Sequence, residues 1–166
     1  MENPISALIA DKGWCVADGA TGSNFFGRGL EAGYPPELWC LEKPEDVLWL
    51  HGEFLSAGSD LILTNSFGGN ALRLKLHQAE NRVRELNIAA ANLARQAVEA
   101  HAQKTGRKAL VAGSIGPTGE LFEPMGALTY EAAVTCFTEQ AEALAEGGAD
   151  VLWIETMSAN EEVAAA

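Results

Sequence analysis

An α/β fold of parallel strands is predicted by three observations. Short continuous apolar runs alternate along the chain with longer stretches of three-to-four periodicity. The runs end near Asp18, Asn65, Ser114 and Glu155, spaced by 47, 49 and 41 residues. Ala57-Gly58-Ser59-Asp60-Leu61-Ile62-Leu63-Thr64 also resembles Gly147-Gly148-Ala149-Asp150-Val151-Leu152-Trp153-Ile154. Each copy is a helix end, a glycine, a small residue, an aspartate and an apolar strand. Four βα units with right-handed crossovers account for all three.

The elements follow in order. Trp14 to Ala17 reads as a buried strand stopped by Asp18-Gly19-Ala20-Thr21-Gly22. After the Pro35-Pro36 loop, Pro44 opens a helix to about Ala57, with Glu45 and Asp46 in its first turn and Gly58 ending it. Leu61 to Thr64 is the second strand. Residues 71–103 read as mostly helical, with Leu86, Ala90, Leu93, Ala97 and Val98 on one apolar face. Ala109 to Ala112 is the third strand, running into a turn at Gly113-Ser114-Ile115-Gly116-Pro117-Thr118-Gly119. Thr129 caps a helix from Tyr130 to Glu146, and Gly147-Gly148 stops it. Val151 to Ile154 is the fourth strand. Ser158-Ala159-Asn160-Glu161 reads as a capping box opening another helix. In both repeat copies glycine takes the left-handed cap, and the aspartate is expected to start its strand at the surface. A doubly wound sheet and a (β/α)8 barrel both use such units; a barrel needs about 250 residues, so four units make half of one.

Composition removes several function classes. A hydrophobic share of 48% suffices for a core, and a net charge of −12 opposes both nucleic acid and anionic membrane surfaces, which need clustered cations. No apolar run reaches the ~18 residues of a membrane span. Met1 to Ala10 carries Glu2 and no early cation, unlike a secretory signal. Three widely spaced cysteines make no disulfide framework, so a reducing cytoplasm is the expected compartment.

In both candidate architectures ligands bind beyond the C-terminal strand ends. Asp18 with Gly19, Thr64-Asn65-Ser66, Ser114, and Glu155-Thr156 therefore stand where chemistry is expected. Two carboxylates facing one cleft can hold an ammonium group, bind a metal or divide acid and base roles. The plainer alternative is that each caps a loop by accepting backbone N–H bonds. Neither glycine stretch is a dinucleotide fingerprint, and Pro117 removes a backbone donor from the second. Gly68-Gly69 suits a tight turn or a close backbone approach. Cys15 in a strand, Cys40 in a loop and Cys136 on a helix form no metal-binding spacing. His51, His77 and His101 are expected solvated or half-buried on helices. Arg73, Lys75, Arg82 and Arg84, interleaved with Glu80 and Glu85, read as a solvated helix face.

Taken together and in order, Asp18-Gly19-Ala20-Thr21-Gly22, Gly58-Ser59-Asp60-Leu61-Ile62-Leu63-Thr64-Asn65-Ser66-Phe67-Gly68, Gly113-Ser114-Ile115-Gly116-Pro117-Thr118-Gly119-Glu120 and Glu155-Thr156 resemble the homocysteine S-methyltransferases. That family includes betaine–homocysteine methyltransferase and the homocysteine-binding module of cobalamin-dependent methionine synthase. The resemblance implies a (β/α)8 TIM barrel of which residues 1–166 are the first four βα units, an N-terminal half without internal boundary. It implies transfer of a methyl group to a zinc-activated homocysteine thiolate, giving methionine, with betaine favoured as donor and folate, S-methylmethionine or a dimethylsulfonium compound as alternatives. Asp18, Gly19 and Glu155 would hold the amino end of homocysteine, and Asn65 and Ser114 would line the mouth. Many relatives carry aspartate where Ser114 stands. The family's three zinc cysteines lie in its second half, beyond Ala166, so Cys15, Cys40 and Cys136 are not assigned to zinc. The alternative is a non-catalytic half-barrel that needs a partner and self-associates through open strand edges.

Overall fold

The computed structural model describes residues 3–166. Met1 and Glu2, including the acid that argued against a secretory signal, lie outside the described residues. The elements run α1 (Pro4–Lys12), α2 (Gly22–Phe26), a 3-10 turn (Pro36–Leu38), α3 (Trp39–Glu42), α4 (Pro44–Ala57), β1 (Leu61–Leu63), α5 (Ala71–Lys75), a second 3-10 turn (Glu80–Arg82), α6 (Val83–Thr105), β2 (Leu110–Ile115), α7 (Tyr130–Glu146), β3 (Val151–Ile154) and α8 (Asn160–Ala165). The sheet is parallel in the order β1-β2-β3, with Leu61 beside Leu110 and Ala112 beside Val151. Among the described residues, no helix is long and apolar enough to cross a membrane.

The expected first strand is reduced to one parallel bridge, Ala17 to Leu61. Its backbone does lie along β1: Asp60 and Leu61 both donate to the Val16 carbonyl, and Asp18 N–H donates to the Leu61 carbonyl. Two donors converging on one carbonyl, against a neighbour of only three residues, leave no room for a longer ladder. The sheet is therefore three strands with a bridged edge segment rather than four full strands. β2 is longer than expected, because Gly113, Ser114 and Ile115 pair with Leu152, Trp153 and Ile154 instead of turning.

The repeat explains how the strands start. Asp60 N–H donates to the Val16 carbonyl while its Oδ2 accepts from Val16 N–H at 3.2 Å. Asp150 N–H likewise donates to the Val111 carbonyl while its Oδ2 accepts from Val111 N–H at 2.8 Å. Each aspartate thus clamps both backbone groups of one residue on the preceding strand, which fixes the register. Gly58 (φ 112°) and Gly148 (φ 97°) reach the left-handed region just before each clamp, where a Cβ is disfavoured. Asp60 is not at the surface as expected but 2% exposed. Lys12 at 2.5 Å and Arg107 at 3.6 Å compensate its charge. Burial alone would raise its pKa, yet these cations and the Val16 N–H hold it below the usual carboxylate value. Lys12 comes from α1, a helix that the sequence reading did not anticipate; Asn3 caps it by accepting from Ile5 N–H.

Helices α4, α6 and α7 cover the sheet. Leu55, Ile62, Ala94, Val98 and Val111 form one core cluster; Ala91, Ile115, Phe137, Leu144 and Ala165 form another. The long helical stretch breaks between Lys75 and Val83, where a 3-10 turn intervenes. The Ser158 capping box does not form: α8 starts at Asn160 with Ala159 as its cap residue. Cys40 lies in α3 rather than in a loop. His51 departs most from expectation. It is 1% exposed, and neither ring nitrogen has a hydrogen-bond partner.

Burial lowers the His51 pKa from 6.5 to about 4. The native state keeps the ring neutral, whereas the unfolded chain takes up a proton near pH 6.5. Stability present at pH 7 is therefore lost as pH falls from about 6.5 towards 4, by up to about 3 kcal/mol for this shift. In urea titrations of the chain and its His51→Met variant, the wild type should lose ground relative to the variant across that window. A difference independent of pH would rule the assignment out.

Candidate active site

The strand ends open into a cavity of about 630 Å³. Gly19, Ala20, Thr21 and Gly22 form one wall, Thr64 to Gly68 another, and Gly33 to Glu37 a third; Ser114 and Glu155 close one end. Four of the five expected site residues, Gly19, Asn65, Ser114 and Glu155, line this cavity. Asp18 lies immediately behind Gly19, its Oδ2 accepting from Leu63 N–H at 2.9 Å.

Ser114 Oγ donates to Glu155 Oε1 at 2.6 Å, aligning that carboxylate with the neighbouring strand. Asp18 feels the same charge. Burial raises its pKa from 3.8 to about 6; the Leu63 N–H opposes the rise and Glu155 adds to it. Glu155 and Ser114 line the cavity, and the Asp18 carboxylate behind Gly19 lies near enough to feel Glu155. Asn65 is engaged elsewhere: its Nδ2 donates to the Pro36 carbonyl at 2.7 Å and meets Cys40 Sγ at 3.5 Å, tying the proline loop to the cavity wall.

Behind the wall lies a hydrogen-bonded network. Ser66 Oγ donates to the Ser114 carbonyl at 2.8 Å, and Ser114 N–H donates to Thr64 Oγ1 at 3.0 Å. A hydroxyl has one proton, so the 2.6 Å contact between Thr64 and Ser66 is donated by Thr64. Gln140 of α7 donates to the Ser66 carbonyl at 2.8 Å and to Asn87 Oδ1 at 3.2 Å. Asn87 of α6 donates to the Gly69 carbonyl at 2.8 Å. The glycines make these approaches fit: a Cβ on Gly69 would stand 2.7 Å from Asn87 Oδ1, and one on Gly68 2.9 Å from Glu37 Oε1. On the far side, Glu162 of α8 accepts from both Thr118 N–H and its hydroxyl, at 2.8 and 2.7 Å, fastening the loop after β2.

Three lining residues were not singled out from sequence. Glu37 is 5% exposed and accepts from Gly68 N–H at 2.6 Å; burial raises its pKa, against that bond and the nearby Arg73 and His77 charges. Arg73 and His77 line the same cavity rather than a purely solvated helix face. The only advance signal was Glu37 directly after Pro35-Pro36, two residues that stiffen the approach to the site.

No three His, Cys, Asp or Glu side chains among the described residues form a metal site. Burial pushes the Cys40 thiol up to about 12 and raises that of Cys136, which disfavours the thiolates a metal would need. Cys40 and Cys136 therefore do not suit a zinc shell.

The family model for homocysteine S-methyltransferase matches residues 15–166. Among solved structures, the chain is similar to the homocysteine methyltransferase MmuM from Escherichia coli. Against the metallated form the identity is 27% and the TM-score 0.85, covering 98% of this chain and 60% of that one. Against the oxidised form the values are 28% and 0.86, with 99% and 60% coverage. The chain thus spans about 60% of the length of these structures.

Gly116 offers a test of the wall. Its N–H donates to the Phe67 carbonyl at 3.0 Å, and a Cβ there would stand 2.6 Å from both that oxygen and the Phe67 ring. Gly116→Ala should cost about 1–3 kcal/mol, read as a lower urea midpoint at unchanged m-value. An unshifted midpoint would show that the wall yields freely.

Proposed function

The chain belongs to the homocysteine S-methyltransferase family, and on that premise we propose that its cavity binds the amino end of homocysteine. In this reading residues 1–166 are the N-terminal half of a homocysteine-binding (β/α)8 barrel that transfers a methyl group to the homocysteine thiol, with betaine the favoured donor. The observation that carries it is the Ser114–Glu155 bond of 2.6 Å at the cavity end beside Asp18. An ammonium group carries three N–H donors and no acceptor, so it asks for oxygens on several sides. Glu155 presents a carboxylate already oriented by Ser114, Asp18 supplies a second, and Gly19 brings the backbone close. Asn65 contributes by holding the proline loop that closes the wall.

Bringing the thiol and the methyl donor into line is the barrel's part of the catalysis. Zinc, which the family resemblance implies as thiol activator, has no shell among the described residues. The compartment proposed is the cytoplasm, in keeping with three free cysteines.

A second reading is a module that is complete only with a partner. Trp14 and Val16 on the bridged edge segment are 56% and 42% exposed, and Leu152 and Ile154 on β3 are 45% and 41% exposed. Apolar side chains bared at both sheet edges favour covering by another polypeptide or a second copy. Sedimentation of the chain across a concentration series separates this reading from a stable monomer.

For the first reading, Glu155→Gln should weaken homocysteine binding, measured by calorimetry, by roughly tenfold or more, since a charge-assisted bond is lost. An affinity within twofold of wild type would remove Glu155 from the role. Asp18 adds a pH signature. Its pKa near 6 means that the carboxylate which attracts the ammonium is lost as pH falls through about 6. Homocysteine affinity should decline below pH 6, and Asp18→Asn should be weaker at pH 7.5 and lack that inflection.

A further inference from the structure

The chain has six arginines, and five of them are ion-paired: Arg28 with Asp46, Arg82 with Glu85, Arg84 with Glu146, Arg95 with Asp150 and Arg107 with Asp60. The sixth, Arg73, has no carboxylate within ion-pair reach among the described residues, and it lines the cavity. In a chain of net charge −12 an unpaired guanidinium facing a concave wall is conspicuous. Glu37, the acid on the same wall, accepts from Gly68 N–H at 2.6 Å and feels the Arg73 charge without an ion-pair contact. His77, four residues on, adds a second nitrogen donor to that wall. The Asn70 side chain fixes α5 beneath them, capping it through Arg73 N–H at 3.0 Å and donating to the Pro117 carbonyl at 3.3 Å.

We infer that Arg73, flanked by His77, is the carboxylate-recognising element of this cavity and takes the anionic end of a substrate. The inference rests on the proposed homocysteine reading for the identity of that substrate. A planar guanidinium offers paired N–H donors matching the two oxygens of a carboxylate, which an ammonium cannot reproduce. The cavity lining then carries both a carboxylate, Glu155, and a cation, Arg73, a combination suited to amino acids or carboxylated onium compounds. Two substrates bring such a group: homocysteine itself, and a methyl donor of the betaine type.

The test titrates the chain and its Arg73→Gln and Arg73→Lys variants with five probes, after amide NMR spectra establish the same fold. Homocysteine is set against 3-mercaptopropylamine, which lacks its carboxylate, and glycine betaine against choline. Butyrate serves as a carboxylate with neither thiol nor ammonium. Arg73→Gln should weaken at least one carboxylate-bearing member by roughly tenfold or more and leave its carboxylate-free partner within about twofold, with Arg73→Lys intermediate. Loss confined to homocysteine assigns Arg73 to the acceptor; loss confined to betaine assigns it to the donor. Butyrate should shift the Arg73 Nε–H resonance of the wild type. That arm stands even where homocysteine fails to bind, so failure of the parent reading is distinguishable from failure of this one. Equal affinities in wild type and Arg73→Gln for all carboxylates, or an unmoved Nε–H resonance in butyrate, overturn the inference.

Discussion

The site depends on how the C-terminal strand ends satisfy backbone groups that have run out of ladder. Beyond the last paired residues of β1 and β2, the chain turns through glycine-rich loops within the core, where an unmet polar group costs about 1–3 kcal/mol. Thr64, Ser66, Asn87 and Gln140 meet those groups by hydrogen bonds of 2.6–3.2 Å to one another and to the Gly69, Ser66 and Ser114 backbone. Because the hydroxyl protons can be arranged in only one direction, the network selects a single loop arrangement. Ser114 is its outlet: its backbone closes the network, leaving its hydroxyl for Glu155. The Glu155 carboxylate is thus supported at a distance by helices α6 and α7, which contribute no residue to the cavity lining.

The opposite ends of the strands are governed by a different device, used twice. Asp60 and Asp150 each grip both backbone groups of one residue on the preceding strand. A slip of one residue would break two bonds at once and move the apolar side chains to the other face. The copies differ in electrostatics. Asp60 is buried and held by two cations, whereas Asp150 is met by Arg95 at 2.7 Å and is itself more open. Register at one end and polar satisfaction at the other together determine where Asp18, Ser114 and Glu155 fall relative to one another.

What was legible in the sequence follows from this division. Helices Pro44–Ala57 and Tyr130–Glu146 and strand Val151–Ile154 appear as read, because caps, glycine stops and apolar periods are local signals. Asp18 and Glu155 were singled out because strand ends are where such folds place ligands, and of the two Glu155 lines the cavity. Glu37 was missed because its burial is decided by Gly68, 31 residues away, and Arg73 because its helix pattern is amphipathic whether or not a cavity lies beside it. His51 was misjudged for the same kind of reason: its position on α4 is polar by residue type and buried only by tertiary packing. The Trp14–Ala17 strand was overestimated because an apolar run does not reveal how long its neighbour is.

The chemistry of the Glu155 end can be narrowed further by counting donors. A hard divalent cation such as calcium wants about six to eight oxygens, and zinc about four nitrogen, sulfur or oxygen ligands, usually led by thiolates or imidazoles. The described residues bring no three such metal-ligating side chains together, and one of the two carboxylates here already accepts a backbone N–H. Two carboxylates, a serine hydroxyl and nearby backbone leave a direction for each N–H of a primary ammonium instead. Among the described residues the pair is sparse for a metal shell, and on the proposed reading its oxygens suit an ammonium. Burial raises the Asp18 carboxyl to about 6 against the Leu63 N–H bond, and the nearby Glu155 charge adds to that rise.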